Sequence, residues 1–208
     1  MFSRKHIRST ATHRPAAGVH LIAQADAFAD HAHGAIGQLR KYTGEPYIVH
    51  PRAVSTLVAD AGGDSAMVAA ALLHDVVEDT PTTIGDILAE FGPDVADLVF
   101  WLTDASRPED GNRRARKEID RKHIAAAPAR AKAVKLADLI DNGRSIVEHD
   151  RNFAVVYLRE KAALLEVLQS AAADCAAAAA LLPVAFETLR GGQEKFYQQH
   201  LMGMGHGR

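Results

Sequence analysis

The stretch SAMVAAALLHDVVEDT, residues 65–80, decides the fold. Residues 66–73 are apolar all round a helix, so a helix there offers no face to water and belongs in the middle of a core built by other helices. Asp64 stands where an N-cap belongs. The stretch then turns ionisable, with His74, Asp75, Glu78 and Asp79 close together. On one continuous helix His74 would share an edge with Glu78, and Asp75 with Asp79, each pair at i and i+4. Three carboxylates beside a histidine at the end of a buried helix require either water or a bound cation. A solvated helix end is the plain alternative.

Working outward, Leu21, Ile22, Ala25, Phe28, Ala29, Ala32, Ile36 and Leu39 recur at three and four positions and predict a helix over Val19 to Leu39. A turn follows at Thr43-Gly44-Glu45-Pro46. His50-Pro51 opens the next helix, because proline near a helix start has the right φ and no donor to lose, and Gly62-Gly63 closes it. Capping or proline signals begin helical patterns at Thr83 to Glu90, Pro93 to Leu102 and Asn112 to Ala126, with a loop between Asp104 and Asn112. Ala129 to Val147, Asn152 to Gln169 and Ala173 to Leu189 follow, with Pro183 predicting a kink or break.

No stretch sustains period-two alternation, so no sheet is expected. The class is all-α, an irregular single-domain helical bundle over residues 18–190. Residues 1–17 read as a disordered polar arm and 191–208 as a flexible C-terminal tail.

The 208 residues are 48% hydrophobic and 24% charged, an ordinary globular composition with room for one core. A net charge of −2 provides no general attraction to nucleic acid or to an anionic membrane. The longest apolar run, Cys175 to Phe186, is too short to span a bilayer. Cys175, the single cysteine, has no intrachain disulfide partner and reads as a small buried hydrophobe in a cytoplasmic protein. The alanine-rich segment Ala171 to Leu182 suits close packing within the chain or in a homo-oligomer. The densest basic cluster, Arg113 to Lys122, reads as a solvated helix face with internal ion pairs, with direct ligand contact as the lesser alternative.

A catalytic metal needs more ligands than His74 and Asp75. His50, fixed between YIV and a proline, is one candidate, and otherwise a cap or surface residue. Asp138 in AVKLADLIDN is another; it shares a face with Lys135 and Asn142, a face that can equally be solvated. His31 and His33 read as structural or surface residues.

The strings RKYTGEPYIVHP, LLHDVVEDT and VKLADLIDN, in this order and spacing, resemble the hydrolase domain of RelA/SpoT-type proteins, in particular the small alarmone hydrolases, from about Phe28 to Leu168. The resemblance implies a helical HD-domain fold that hydrolyses the 3′-pyrophosphate of (p)ppGpp to GDP or GTP and pyrophosphate. It implies one Mn²⁺ held by His50, His74, Asp75 and Asp138, an acidic pair Glu78 and Asp79 handling water and protons, and substrate contacts at Arg40, Lys41 and Asn142. Lys135 and Arg144 are further phosphate candidates. HGAIGQLR, residues 33–40, and LIDNGRS, residues 139–145, depart from the usual family strings. The same chemistry on (p)ppApp or on another nucleotide such as NADPH is the alternative enzyme. A nucleotide-sensing module without turnover is the alternative of another class.

Overall fold

The computed structural model describes residues 17–204, with side chains described for residues 18–150 and 153–194. The arm expected over residues 1–17 lies outside them except for Ala17, which opens the first helix. The chain order is α1 (Ala17–Ala35), α2 (Val49–Asp60), α3 (Ser65–Leu73), α4 (Val76–Asp79), α5 (Ile84–Phe91), α6 (Pro93–Leu102), α7 (Arg113–Ala126), α8 (Ala129–His149), α9 (Arg151–Leu168) and α10 (Ala176–Met204). Short 3₁₀ turns lie at Pro108–Asp110, inside the expected loop, and at Gln169–Ala173. The described residues contain no strand; one isolated bridge joins Leu39 to Pro46.

α3 sits where its composition demands. Every residue from Met67 to Leu73 is buried, and the helix packs on α1, α2, α6 and α8. The Asp64 side chain accepts from the Ala66 and Met67 amides at 3.0 Å each, satisfying two of the donors a helix start leaves open. α8 is the second central helix: Ala131 to Val134 and Leu136 to Ile140 are buried against α2, α3, α9 and α10. Complete burial of one such leucine stabilises the fold by roughly 1.5–3 kcal/mol.

The structure moves three boundaries. α1 stops at Ala35, and Ile36 and Leu39, expected in its apolar stripe, are exposed. Gly37 at φ +64° ends that run, and the following turn carries Arg40 to Glu45 as a hydrogen-bonded loop. α10 continues through Pro183 without a break, because neighbouring packing outweighs the one hydrogen bond proline removes. It also runs past Gly191 to Met204, so the end of the helix lies beyond residue 190. Gly192 is buried there, and a Cβ on it would lie 2.8 Å from Val147 Cγ2.

Candidate metal centre

The helix expected to run unbroken through LLHDVVEDT divides into α3 and α4 at His74 and Asp75. His74 turns its ring back so that Nδ1 lies 2.8 Å from the Ala71 carbonyl oxygen. A carbonyl only accepts, so Nδ1 carries the hydrogen and Nε2 keeps its lone pair in the neutral ring. This bend replaces the expected pairing of His74 with Glu78: the histidine points inward while Glu78 reaches the Asp104 amide at 2.5 Å. Asp79 accepts from Gln38 Nε2 at 2.8 Å.

His50 presents the same arrangement from α2. Its Nδ1 lies 2.6 Å from Asp141 Oδ2, which again places the hydrogen on Nδ1 and frees Nε2. Both rings are 1% exposed, their centroids are 5.2 Å apart, and neither Nε2 has a hydrogen-bond partner. Two buried lone pairs without partners are costly unless something electrophilic faces them. Asp75 and Asp138 complete the ring of donors. His74 Nε2 is 3.1 Å from Asp75 Oδ2 and 3.8 Å from Asp138 Oδ1; His50 Nε2 is 3.6 Å and 3.3 Å from the same two oxygens. Ligand atoms of His50, His74 and Asp75 all lie within 4.8 Å of one another, a spacing that one divalent ion can bridge. The mixed nitrogen and oxygen donors suit a first-row divalent metal.

The electrostatics agree with that use. Burial by itself would lower the His50 pKa, but the Asp138 carboxylate facing Nε2, the hydrogen bond to Asp141 and the charge of Asp75 outweigh it and raise it to about 9. Burial likewise works against ionised Asp75, yet the charges of His74 and His50 hold its carboxyl below the usual range. For Asp138, burial is overcome first by the Lys135 ammonium and then by the two histidines. In the metal-free protein, protons on the imidazoles do what a cation would do.

Neighbouring side chains hold these groups. The Tyr47 hydroxyl donates to Asp75 Oδ2 at 2.6 Å, and Asn142 Nδ2 donates to Asp138 Oδ1 at 2.6 Å. Lys135 Nζ pairs with Asp138 Oδ2 at 3.0 Å. Arg40 lies 3.7 Å from Asp141 Oδ2 and over the Tyr47 ring at 5.9 Å, so it braces the His50 side of the centre. His33 is buried, not on the surface, with Nδ1 2.7 Å from Gln38 Oε1; that bond turns the Gln38 amide nitrogen toward Asp79.

Beside the donors opens a cavity of about 760 Å³ between α6, α7, α8 and α9, lined among others by Asp104, Arg113, Lys117, Lys135, Asn142 and Lys161. The basic segment of α7 does make the expected ion pairs, as in Arg121 with Glu118, but Arg113, Arg114, Lys117 and Arg121 also face this cavity. Lys41 stands outside it, exposed and paired with Asp150 at 3.3 Å. Arg144 is exposed on α8 and is not part of its wall. Burial pushes the Glu78 carboxyl up to about 7, with Asp104 and Asp75 adding to the rise and Lys135 opposing it.

Sequence reasoning left out Tyr47, Asp141, Gln38 and Asp104. Asp141 had a signal, since it follows Asp138 by three positions on one helix. Gln38 and Asp104 had none, because only the loops bring them to Asp79 and Glu78.

Comparison with known proteins agrees with the fold. The HD-domain family profile matches residues 25–161, and the chain belongs to that family. It is 42% identical over 129 residues to a probable guanosine-3′,5′-bis(diphosphate) 3′-pyrophosphohydrolase of Synechocystis, covering 61% of this chain and 17% of the relative. It is 41% identical over 103 residues to the Xenopus tropicalis guanosine-3′,5′-bis(diphosphate) 3′-pyrophosphohydrolase MESH1, covering 49% of this chain and 56% of the relative. The chain thus spans about a sixth of the one relative and about half of the other. A solved structure described as a metazoan ortholog of SpoT that hydrolyzes ppGpp superposes with a TM-score of 0.72 at 29% identity, covering 88% of this chain and 98% of that one.

Proposed function

We propose that this chain is a metal-dependent phosphohydrolase that removes the 3′-pyrophosphate of a nucleotide alarmone, (p)ppGpp, giving GDP or GTP and pyrophosphate. The observation that carries the reading is the pair of unpartnered Nε2 atoms of His50 and His74 facing Asp75 and Asp138, with Lys135 and Asn142, the side chains that hold Asp138, forming part of the wall of a cation-lined cavity. The names of the HD-domain relatives supply the substrate class.

His50, His74, Asp75 and Asp138 would hold the ion, and Mn²⁺ is the reading for a set of two imidazoles and two carboxylates. Such an ion supplies Lewis acidity, which polarises water and phosphoryl oxygen. In the reaction a water oxygen attacks the phosphorus bonded to the 3′ oxygen, the P–O3′ bond breaks, and the 3′ oxygen takes up a proton. Glu78, poised near neutrality, moves a proton, and Asp79, held by Gln38, orients the water. Asn142 and Lys135 fix Asp138 and present polar atoms to the cavity, where the phosphates meet cations. Arg40, from the loop before α2, and Lys41 and Arg144 are substrate contacts that would reach the ligand from outside the cavity wall. The catalytic unit is the helical bundle, working in the cytoplasm.

The test is release of pyrophosphate or phosphate from ppGpp, ppApp and NADPH, each with Mn²⁺ and with EDTA. Metal-dependent turnover of ppGpp is the expected result. A preference for ppApp or NADPH moves the reading to that nucleotide, and tight binding without turnover of any moves it to a sensor.

A further inference from the structure

α9 turns two donors to the cavity, a buried hydroxyl and a half-buried ammonium. Tyr157 and Lys161 stand at i and i+4 on one face of this helix and both line the cavity wall. Tyr157 is 4% exposed, and its hydroxyl, which is buried, has no hydrogen-bond partner. The Lys161 ammonium lies 5.2 Å from the Tyr157 ring centroid, and among the described residues no carboxylate comes within ion-pair distance of it.

Its neighbours differ in this respect. Lys117 pairs with Asp104 at 2.7 Å and Asp120 at 3.1 Å, Lys135 with Asp138 at 3.0 Å, and Arg113 with Glu160 at 2.8 Å. Burial, the largest influence on Lys161, lowers its pKa to about 8; Asp138 and Asp104 oppose that, while Lys135 and Lys117 add to it. A half-buried cation beside other cations is less well solvated in the folded chain than in water. A hydroxyl and an ammonium without acceptors, side by side, are complementary to an oxyanion.

We propose that Lys161, with the Tyr157 hydroxyl beside it, binds a phosphate group of the nucleotide remote from the one that is hydrolysed, and so sets affinity for the more highly charged ligands. The inference rests on the nucleotide reading above. Lys161 is a binding residue whose counter-ion arrives with the ligand.

Lys161→Met separates this role from a packing role, because it keeps the aliphatic stem and removes the charge. In the metal-loaded protein, the variant is expected to melt at the same temperature as the parent or higher. Its KM for ppGpp and its Kd for GDP, read by calorimetry, rise about tenfold or more, the loss expected for a charge-assisted hydrogen bond. Metal content and kcat stay within about threefold, and Lys161→Arg keeps most of the affinity. A lower melting temperature with unchanged KM and Kd would make Lys161 a structural residue and overturn the proposal. If the parent does not turn over ppGpp, the hydrolase reading fails alone: GDP affinity still decides the role of Lys161, and equal GDP affinity in parent and variant overturns it.

Discussion

His50 Nδ1 stands 2.6 Å from Asp141 Oδ2, and this one bond fixes which nitrogen of the buried ring faces Asp75 and Asp138. Replacing Asp141 by Ala frees the ring to rotate and to carry its hydrogen on either nitrogen. Metal affinity is expected to fall about 10–100-fold, the usual effect of losing such an outer partner. Competition with a chelating dye measures it, and unchanged affinity would remove Asp141 from the centre.

The raised His50 pKa makes the metal-free protein sensitive to alkali. The protonated ring is favoured in the folded state, so its contribution is complete below the ordinary value of about 6.5 and is lost as pH rises through about 9. The loss is on the order of 3 kcal/mol. Chelated protein should therefore melt at lower temperature at pH 9.5 than at pH 6.5. Metal and proton compete for Nε2, so metal affinity should rise about tenfold per pH unit over the same window. A chelated protein whose stability is flat from pH 6.5 to 9.5 would refute the imidazole–carboxylate account.

Glu78→Gln and Asp79→Asn keep an acceptor for the Asp104 amide and for Gln38 while removing the charge. Each should retain the metal and lose turnover by about 10²–10⁴-fold. His74→Ala, by contrast, should lose metal and activity together. Metal analysis beside kinetics tells the two classes apart, and full activity in either acidic variant would clear that residue of a catalytic role.

Adjacent glycines in α10 should respond with opposite sign. Gly191 has no atom within 4 Å of an added Cβ, so Gly191→Ala gains about 0.5–1 kcal/mol from helix propensity. At Gly192 the new methyl would meet Val147 at 2.8 Å and Leu158 at 3.1 Å, and overpacking of about 1–3 kcal/mol outweighs that gain. Urea denaturation of both variants checks whether this part of α10 belongs to the packed bundle.

Much of this was legible in the sequence, and the limits have physical causes. The apolar body of α3 and the capping residues Asp64, Thr83 and Asn112 announce themselves because the signal is local. Residue type and neighbouring strings mark Asp138 and His50 as candidates, and the structure brings His50 to Asp75 and Asp138 to His74. The bend at His74 was hidden, since nothing in LLHDVV opposes a helix; it arises from a ring that bonds its own chain at Ala71. Ile36 and Leu39 kept the period of α1 although Gly37 had already turned the chain away. Lys161 sat in an ordinary amphipathic pattern, and its isolation became visible only when α7 and α8 set their own cations beside it.

The donors come from α2, from the bend between α3 and α4, and from α8, and the His50–Asp141 bond spans 91 positions. Such a set exists only in the finished bundle; an extended chain scatters it. An ion bound there is therefore also a buckle across the chain: above its dissociation constant, each tenfold rise in free ion adds about 1.4 kcal/mol to the folded state. Free ion would then govern how much of the protein stays folded, apart from any chemistry at the centre.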